Sequence, residues 1–444
     1  MTERWRRPEF CEDAMRSFLP LLACVTVLTA CGGPDPSAAP ATADAVDLDA
    51  DVTADASSDK TEPDGATQDL ATDAGVDTAS AMDPARAATL ATFVTGKLST
   101  AHLPGLAAGI VKDGKLAWVD GYGWADIAAK RPATPDTLFL IASVSKTVTA
   151  AGVAKAWEQG KVDLDADVNQ YLPFAVHNPN APKVAITLRM LLSHTSSLID
   201  DPAVILDVYT DGDSPVTLGD FLRDVLTTEG KYWNKGGNWD TDPPNTRYEY
   251  SDIGISLAGF AVECAVGMGF DQWCEQQLFA PLGLAETSWK LAGLDLTHVA
   301  MPYGWSSAKG YTPYGHYGYP DYPDGRLRTS VNELSRYLRA FMGDGKLDGV
   351  QVLKAATVAE MKKIQFPKVD TEQAMAWWYE QRDDGLLYCG HTGRDSGVST
   401  QMFFQVQNGV GVIVLTNGDV DEGTNAEKAL LAIEARLFEE AALL

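Results

Sequence analysis

The sequence predicts a mixed α/β (α+β) fold: an antiparallel sheet built from both chain ends and flanked by helices, plus a mostly helical subdomain. Three observations predict it. Two β-rich runs, 106–112 and 115–123, stand early in the chain and meet at Asp113-Gly114, a hairpin signal. Three more, near 387–393, 398–406 and 410–416, stand at the other end, with Asn408-Gly409 turning between the last two. The stretch between, roughly 150–325, carries helical patterns and long aromatic loops with little strand pattern.

Taken in order, the chain opens on targeting information. Arg4, Arg6, Arg7 and Arg16 precede a short apolar run from Phe18 to Ala30. That run is too short to span a bilayer comfortably and suits the core of a signal peptide. It ends in Leu28-Thr29-Ala30-Cys31 before Gly32-Gly33, similar to a bacterial lipobox. Residues 1–31 therefore read as a lipoprotein signal, with Cys31 the expected lipidation site. The other reading is an ordinary secretory signal cut at a small residue. Gly rather than Asp after Cys31 resembles the sorting pattern of outer-membrane lipoproteins. The expected location is the bacterial cell envelope, with the protein lipid-anchored and facing periplasm or exterior. A long, acid-containing segment before Met15 makes Met15 the expected start.

Residues 32–82 are mostly Ala, Asp, Thr and Ser, a composition that buries too little apolar surface to offset chain entropy, so a solvated tether is expected. Between 32 and 83 stand thirteen acidic residues against the single Lys60, nearly half of the formal net charge of −26. A basic patch is absent, which excludes phosphate-backbone partners.

The folded domain, 83–444, begins at Asp83-Pro84, an acidic N-cap with Pro in the first turn, and Leu90, Phe93 and Leu98 form its first apolar stripe. At the far end Thr424 and Glu427 stand in capping-box register before a helix that buries Leu430, Ile433 and Leu437. Once Cys11, Cys24 and Cys31 are accounted for by the leader, Cys264, Cys274 and Cys389 remain. Cys264 and Cys274 could pair in an oxidising compartment or stay as thiols, and both readings are open. No spacing resembles a zinc site, and no metal or organic cofactor is expected.

The chemistry concentrates in Leu140–Ala150, which opens a helix running to about Gln159. Residues three apart share a helix face, so Ser143 and Lys146 point the same way. A serine hydroxyl near a helix N-terminus lies at the positive end of the dipole, and its own N–H is free for an oxyanion. A desolvated Lys of depressed pKa can remove the hydroxyl proton. Ser-x-x-Lys recurs at Ser57/Lys60 and Ser306/Lys309, but only Ser143/Lys146 lies between strand and helix inside apolar flanks.

Further blocks follow in order: Ile186–Leu198 with Ser193-His194-Thr195, Tyr250-Ser251-Asp252, Pro281–Leu284 with Thr287-Ser288-Trp289, Arg326–Ser330, and His391-Thr392-Gly393. Over about residues 85–440 this succession resembles the class C β-lactamase-like serine hydrolases, among them D-alanyl-D-alanine carboxypeptidases and family VIII-type esterases. The resemblance implies a β-lactamase/transpeptidase-like fold and a Ser143 acyl-enzyme. It makes Tyr250 a general base or proton relay beside Lys146, and places Thr392 and Gly393 on the strand that lines up the substrate. The backbone N–H groups of Ser143 and Arg394 would form the oxyanion hole. A literal Tyr-x-Asn also occurs at Tyr232-Trp233-Asn234, but its Gly- and Lys-rich surroundings favour Tyr250.

Two positions matter, a departure at Asp252 and, at His391, one of the two usual forms of the family's third motif. Asp252 replaces the family's Asn, and a carboxylate only accepts hydrogen bonds where an amide also donates. It can pair with Lys146 and hold it protonated, which weakens peptide or β-lactam turnover more than ester hydrolysis. His391 replaces the Lys of efficient β-lactamases and resembles the peptidase and esterase branches. Arg394 either restores that positive charge for a substrate carboxylate or faces solvent. His194 reads as an organiser of its loop, and Cys389 as a small buried residue on the face of His391. The aromatic stretch 302–322 is either a wall over the cleft or a packed surface loop.

The expected function is hydrolysis of esters or amides through a Ser143 acyl-enzyme, by a carboxylesterase, peptidase or β-lactamase-like enzyme. The expected partners are a small-molecule ester, peptide or β-lactam and, through Cys31, a membrane. One alternative is a cell-wall D-alanyl-D-alanine carboxypeptidase. A second is an inactive, lipid-anchored module that binds peptide or glycan.

Overall fold

In the computed structural model, which describes residues 82–444, Asp83 accepts from the N–H groups of Ala85 and Arg86 and starts helix α1 (Pro84–Ala101). Its apolar stripe is Leu90, Val94 and Leu98; Phe93, expected in that stripe, is only partly buried because 94 rather than 93 completes the four-residue spacing from 90 to 98. The leader, the Cys31 lipidation site, the Ser57/Lys60 pair and nearly all of the tether lie outside the described residues.

Strands β1 (Gly105–Lys112) and β2 (Lys115–Asp126) follow as a hairpin. Asp113 and Gly114 both take positive φ, +51° and +73°, as a tight turn matched to strand twist requires. A short β3 (Arg131–Pro132) adds to β2. From the far end come β4 (Trp378–Gln381), β5 (Leu387–Asp395), β6 (Val398–Gln405) and β7 (Val410–Thr416). The seven strands form one antiparallel sheet in the order β4-β5-β6-β7-β1-β2-β3, so β1 and β7 join the two chain ends at its centre.

The two-residue alternation sorts side chains between two cores. Leu106, Ala108 and Ile110 of β1, with Val412 and Val414 of β7, pack against α1 and the last helix, α5 (Asn425–Ala442). Ala107 and Val111, with Ile413 and Leu415, face the opposite core, shared with helices α2 (Ser145–Glu158), α3 (Asp252–Val266) and α4 (Val331–Met342). Thr424 caps α5, accepting from Glu427 N–H at 3.3 Å; the Glu427 carboxylate takes the N–H of Gly423 rather than that of Thr424.

The segment between the chain ends is mostly helical, but it holds two small ladders that the sequence reading lacked. Residues 303–306 pair with 310–313, and 210–211 pair with 317–318. The aromatic stretch is thereby divided. Trp305, Tyr311 and Tyr314 are exposed on or beside the hairpin, while Tyr317, Tyr319 and Tyr322 are buried. Cys264, Cys274 and Cys389 are all free thiols, so the bridged reading of Cys264–Cys274 is overturned. Cys274 is fully buried, its sulfur turned against Gly152 of α2, whereas Cys264 is only partly buried on α3.

Candidate active site

Ser143 stands in a single 3-10 turn, Ala142–Val144, immediately before α2 rather than inside its first turn. The turn is held from both sides. Ile141 N–H donates to Leu327 O at 2.9 Å, Leu327 N–H donates to Ser145 Oγ at 3.1 Å, and Thr400 Oγ1 donates to Ile141 O at 2.8 Å. Those clamps hold Ala142 at φ +46°, a left-handed conformation costing a residue with Cβ about 1–2 kcal/mol. Backbone strain of this kind gathers at reactive positions.

Gly393 of β5 presses against the same turn. A Cβ there would lie 2.4 Å from Ile141 O and 3.0 Å from Ser143 N. Only glycine lets the strand approach the nucleophile turn this closely. The edge of β5 thus brings the backbone around Arg394 alongside the N–H of Ser143, the arrangement expected of two donors facing one oxyanion.

Lys146, on α2, is fully buried. Its Nζ donates to Ser143 Oγ at 3.0 Å and to the backbone oxygen of Asp324 at 2.9 Å, and lies 2.6 Å from Asp252 Oδ1. Three acceptors match the three hydrogens of an ammonium. Burial alone pulls the Lys146 pKa down, but the Asp252 carboxylate, joined by Tyr250 and Asp324, outweighs it, and the net direction is upward. Lys146 is therefore an ammonium at neutral pH, not the depressed-pKa base that the Ser-x-x-Lys pattern suggests. The pairing anticipated between Asp252 and Lys146 is present.

Tyr250 and Asp252 flank Ser251, the N-cap of α3, whose hydroxyl accepts from Gly254 N–H at 3.0 Å. Asp200 fixes this entry. Its carboxylate accepts from Ser251 Oγ at 2.9 Å and from the N–H groups of Asp252 and Ile253 at 2.5 and 3.2 Å. Burial, together with the Asp252 carboxylate beside it, pushes Asp200 up to about 7 despite those donors. His194 completes the support. Its Nδ1 accepts from Ser251 N–H at 3.1 Å, and its ring stacks on Tyr250 with centroids 4.3 Å apart. The Lys146 ammonium lies over the Tyr250 ring, 5.1 Å from its centroid.

The remaining residues fall around this centre. His391 is buried on β5, its ring 4.4 Å from that of Trp378 and 6.4 Å from that of Tyr250. Thr392 is partly buried and pairs with Gln401 of β6. Cys389 is buried in the core, the small buried residue that its place on β5 suggested. Arg394 extends outward, 41% exposed, and pairs with Glu427 at 2.5 Å, which favours the solvent-facing reading over a role in holding a substrate carboxylate. The rival motif disperses. Tyr232 gives its hydroxyl to exposed Asp207 at 2.8 Å, and Ser306 with Lys309 turns the exposed 303–313 hairpin.

Sequence reasoning missed four residues that the fold brings here. Tyr209, Asp321, Asp324 and Asp395 line a pocket with Ser143 and Asp252. Asp321 and Asp324 stand shortly before the Arg326–Ser330 block and Asp395 follows Arg394, and that adjacency was the signal available.

The family model for beta-lactamases matches residues 87–437. The protein flp of Staphylococcus aureus (strain MRSA252) is 24% identical over 329 residues, 73% of this chain and 62% of that protein; the chain thus spans less than two thirds of the curated relatives it matches. Among solved structures, the D-amino acid amidase of Ochrobactrum anthropi SV3 superposes with a TM-score of 0.64 at 22% identity, over 79% of this chain and 98% of that one. The β-lactamase/D-alanine carboxypeptidase of Pseudomonas syringae gives 0.61 at 20% identity, over 80% and 99%. These likenesses fit the antiparallel sheet and flanking helices described above, and with a family model spanning most of the folded domain the chain belongs to the beta-lactamase family.

Proposed function

We propose that the protein is a serine hydrolase that cleaves esters or amides through an acyl-enzyme on Ser143. The observation that carries this reading is the contact of 3.0 Å between the buried Lys146 ammonium and Ser143 Oγ, on a strained turn pressed against Gly393. Ser143 Oγ attacks the acyl carbonyl. Its proton passes to Lys146 Nζ as Nζ releases one to Asp252 Oδ1, 2.6 Å away, so the lysine ends the step as it began. The tetrahedral oxyanion sits between the N–H groups of Ser143 and Arg394. Collapse breaks the bond to the leaving group, which takes the relayed proton. Water then repeats the sequence and frees the acid.

Tyr250, held by His194 against the lysine, forms one wall of this relay. The Asp252 carboxylate favours esters, whose leaving groups need less help than amines. That reading stands against an inactive binding module because the cation touches both the nucleophile and the proton acceptor, which it links in series. The test is intact mass of the full-length protein after a fluorophosphonate. A single adduct on Ser143, absent from Ser143→Ala, is expected; an unmodified wild type would overturn the hydrolase.

We propose further that Cys31 carries lipid and holds the domain at the cell envelope through residues 32–82. The lipobox-like Leu28–Cys31 supports this. Metabolic labelling with an alkyne fatty acid in a bacterial host should mark the wild type and not Cys31→Ser.

A further inference from the structure

The pocket beside Ser143 holds more acid than the relay uses. Besides Asp252 it is lined by Asp321, Asp324 and Asp395, with the rings of Tyr209 and Tyr319. The cations within reach are already engaged. Lys146 is paired with Asp252, Arg326 with Asp213 at 3.0 Å, and Arg394 with Glu427. Asp395 accepts from the hydroxyls of Tyr209 and Tyr319 at 2.7 and 3.2 Å. Asp321 and Asp324 have less: Asp324 Oδ2 lies 3.9 Å from the already shared Lys146 Nζ, and Asp321 takes its own backbone N–H. They are 3% and 6% exposed, and Oδ1 of each has no hydrogen-bond partner among the described residues. Burying an unpartnered carboxyl oxygen is unfavourable by several kcal/mol in an apolar setting, about 1–3 kcal/mol by protein measurements.

We infer that this pocket is an anionic subsite for an ammonium group, and that the enzyme selects esters or amides whose acyl portion carries a positive charge. The inference rests on the hydrolase reading of Ser143. An ammonium supplies donors to the two unpartnered Oδ1 atoms, and the Tyr209 ring attracts the same charge, the Tyr319 ring being already covered by Arg326 at 5.5 Å. The two rings pack on each other, centroids 5.1 Å apart and inclined at 50°, along one wall of the pocket that Ser143 also lines. The carboxyl groups are spread around the wall. Among the described residues no three acidic, His or Cys side chains close on one point as a metal ion requires, which suits an organic cation. Desolvation by the walls strengthens each charge contact relative to water.

The test compares two nearly isosteric substrates with the full-length protein: the nitrophenyl esters of 4-(aminomethyl)benzoic acid and 4-ethylbenzoic acid. The ammonium ester should show at least tenfold higher kcat/KM, and Asp321→Asn should reduce that ratio to threefold or less. Should Asp321→Asn fail to fold, Asp395→Asn takes its place with the same expected collapse. Equal or reversed preference in a protein that still takes a fluorophosphonate on Ser143 would overturn the subsite and leave the hydrolase standing. If neither ester reacts and no adduct forms, the hydrolase reading falls, and benzylammonium binding by calorimetry decides the subsite. Binding weakened at least fivefold by Asp321→Asn upholds it, and no binding overturns it.

Discussion

Lys146 Nζ lies 2.6 Å from Asp252 Oδ1, a buried ammonium held by a carboxylate where related enzymes of the resemblance carry an amide. In the proposed relay the pair decides how a proton leaves Ser143. With the carboxylate in place the lysine stays charged and works as a conduit. Without it, the largest upward influence on the lysine is lost and its pKa falls, with Tyr250 and Asp324 left to oppose burial.

Asp252→Asn should therefore lower ester turnover, because the relay loses its terminus. It should raise the amide-to-ester ratio of kcat/KM by about fivefold, the worth of one net hydrogen bond of about 1 kcal/mol donated to a substrate amide carbonyl. Steady-state kinetics on a matched ester and anilide measure both. An unchanged ratio would remove this account of Asp252.

Gly393→Ala places a methyl within 2.4 Å of Ile141 O and 3.0 Å of Ser143 N. Neither backbone atom can yield without moving the turn, so β5 must withdraw and the two oxyanion donors separate. Loss of one such donor costs about 10²–10³ in kcat. The expected result is a loss of that order for ester hydrolysis with a folded protein by circular dichroism. Activity within tenfold of wild type would mean that β5 does not supply the second donor.

How much of this was legible in the sequence depends on where each contact comes from. The sheet was legible because β-rich runs and turn chemistry are local: Asp113-Gly114 forces its own hairpin, and β1 and β7, buried on both faces, read as continuous apolar runs. The Ser143/Lys146 pairing was legible because three-residue spacing on a helix is local too. The protonation of Lys146 was not, since it depends on Asp252 and Asp324, 106 and 178 residues away in sequence. The same holds for the anionic pocket, whose residues come from five separate segments. Cys264 and Cys274 illustrate the limit differently. Their spacing permitted a bridge, and the direction in which Cys274 faces, settled by packing on α2, decided against it.

His194 acts through what it positions. His194→Phe keeps a ring to stack on Tyr250 but offers no acceptor to the N–H of Ser251, leaving a buried donor unsatisfied at about 1–3 kcal/mol. Thermal stability should fall, and kcat should fall about tenfold with KM within twofold, since Tyr250 and Asp252 shift together while substrate binding is untouched. His194→Asn, which restores an acceptor, should recover part of both. A kcat unchanged in His194→Phe would reduce this residue to loop packing alone.

Asp321 connects the pocket to stability. Its carboxyl ionises near 3.8 in an unfolded chain and is pushed up to about 7 in the folded one by burial, opposed by a hydrogen bond from its own backbone N–H, with the Asp252 carboxylate adding to the rise and Lys146 and Arg326 opposing it. Between those values the folded protein keeps a proton that the unfolded chain has released. The contribution of Asp321 to stability is therefore highest below about pH 4 and is lost as pH rises toward about 7. An amide at this position does not titrate. The melting temperature of Asp321→Asn minus that of wild type should grow by a few degrees between pH 5 and pH 8, measured by thermal denaturation in matched buffers; Asp200, present in both proteins, cancels. A difference that stays flat with pH would show that Asp321 is ionised without penalty, and so already has a partner. A difference that grows would mark an acid kept at a cost to the fold, as a site awaiting a cation requires.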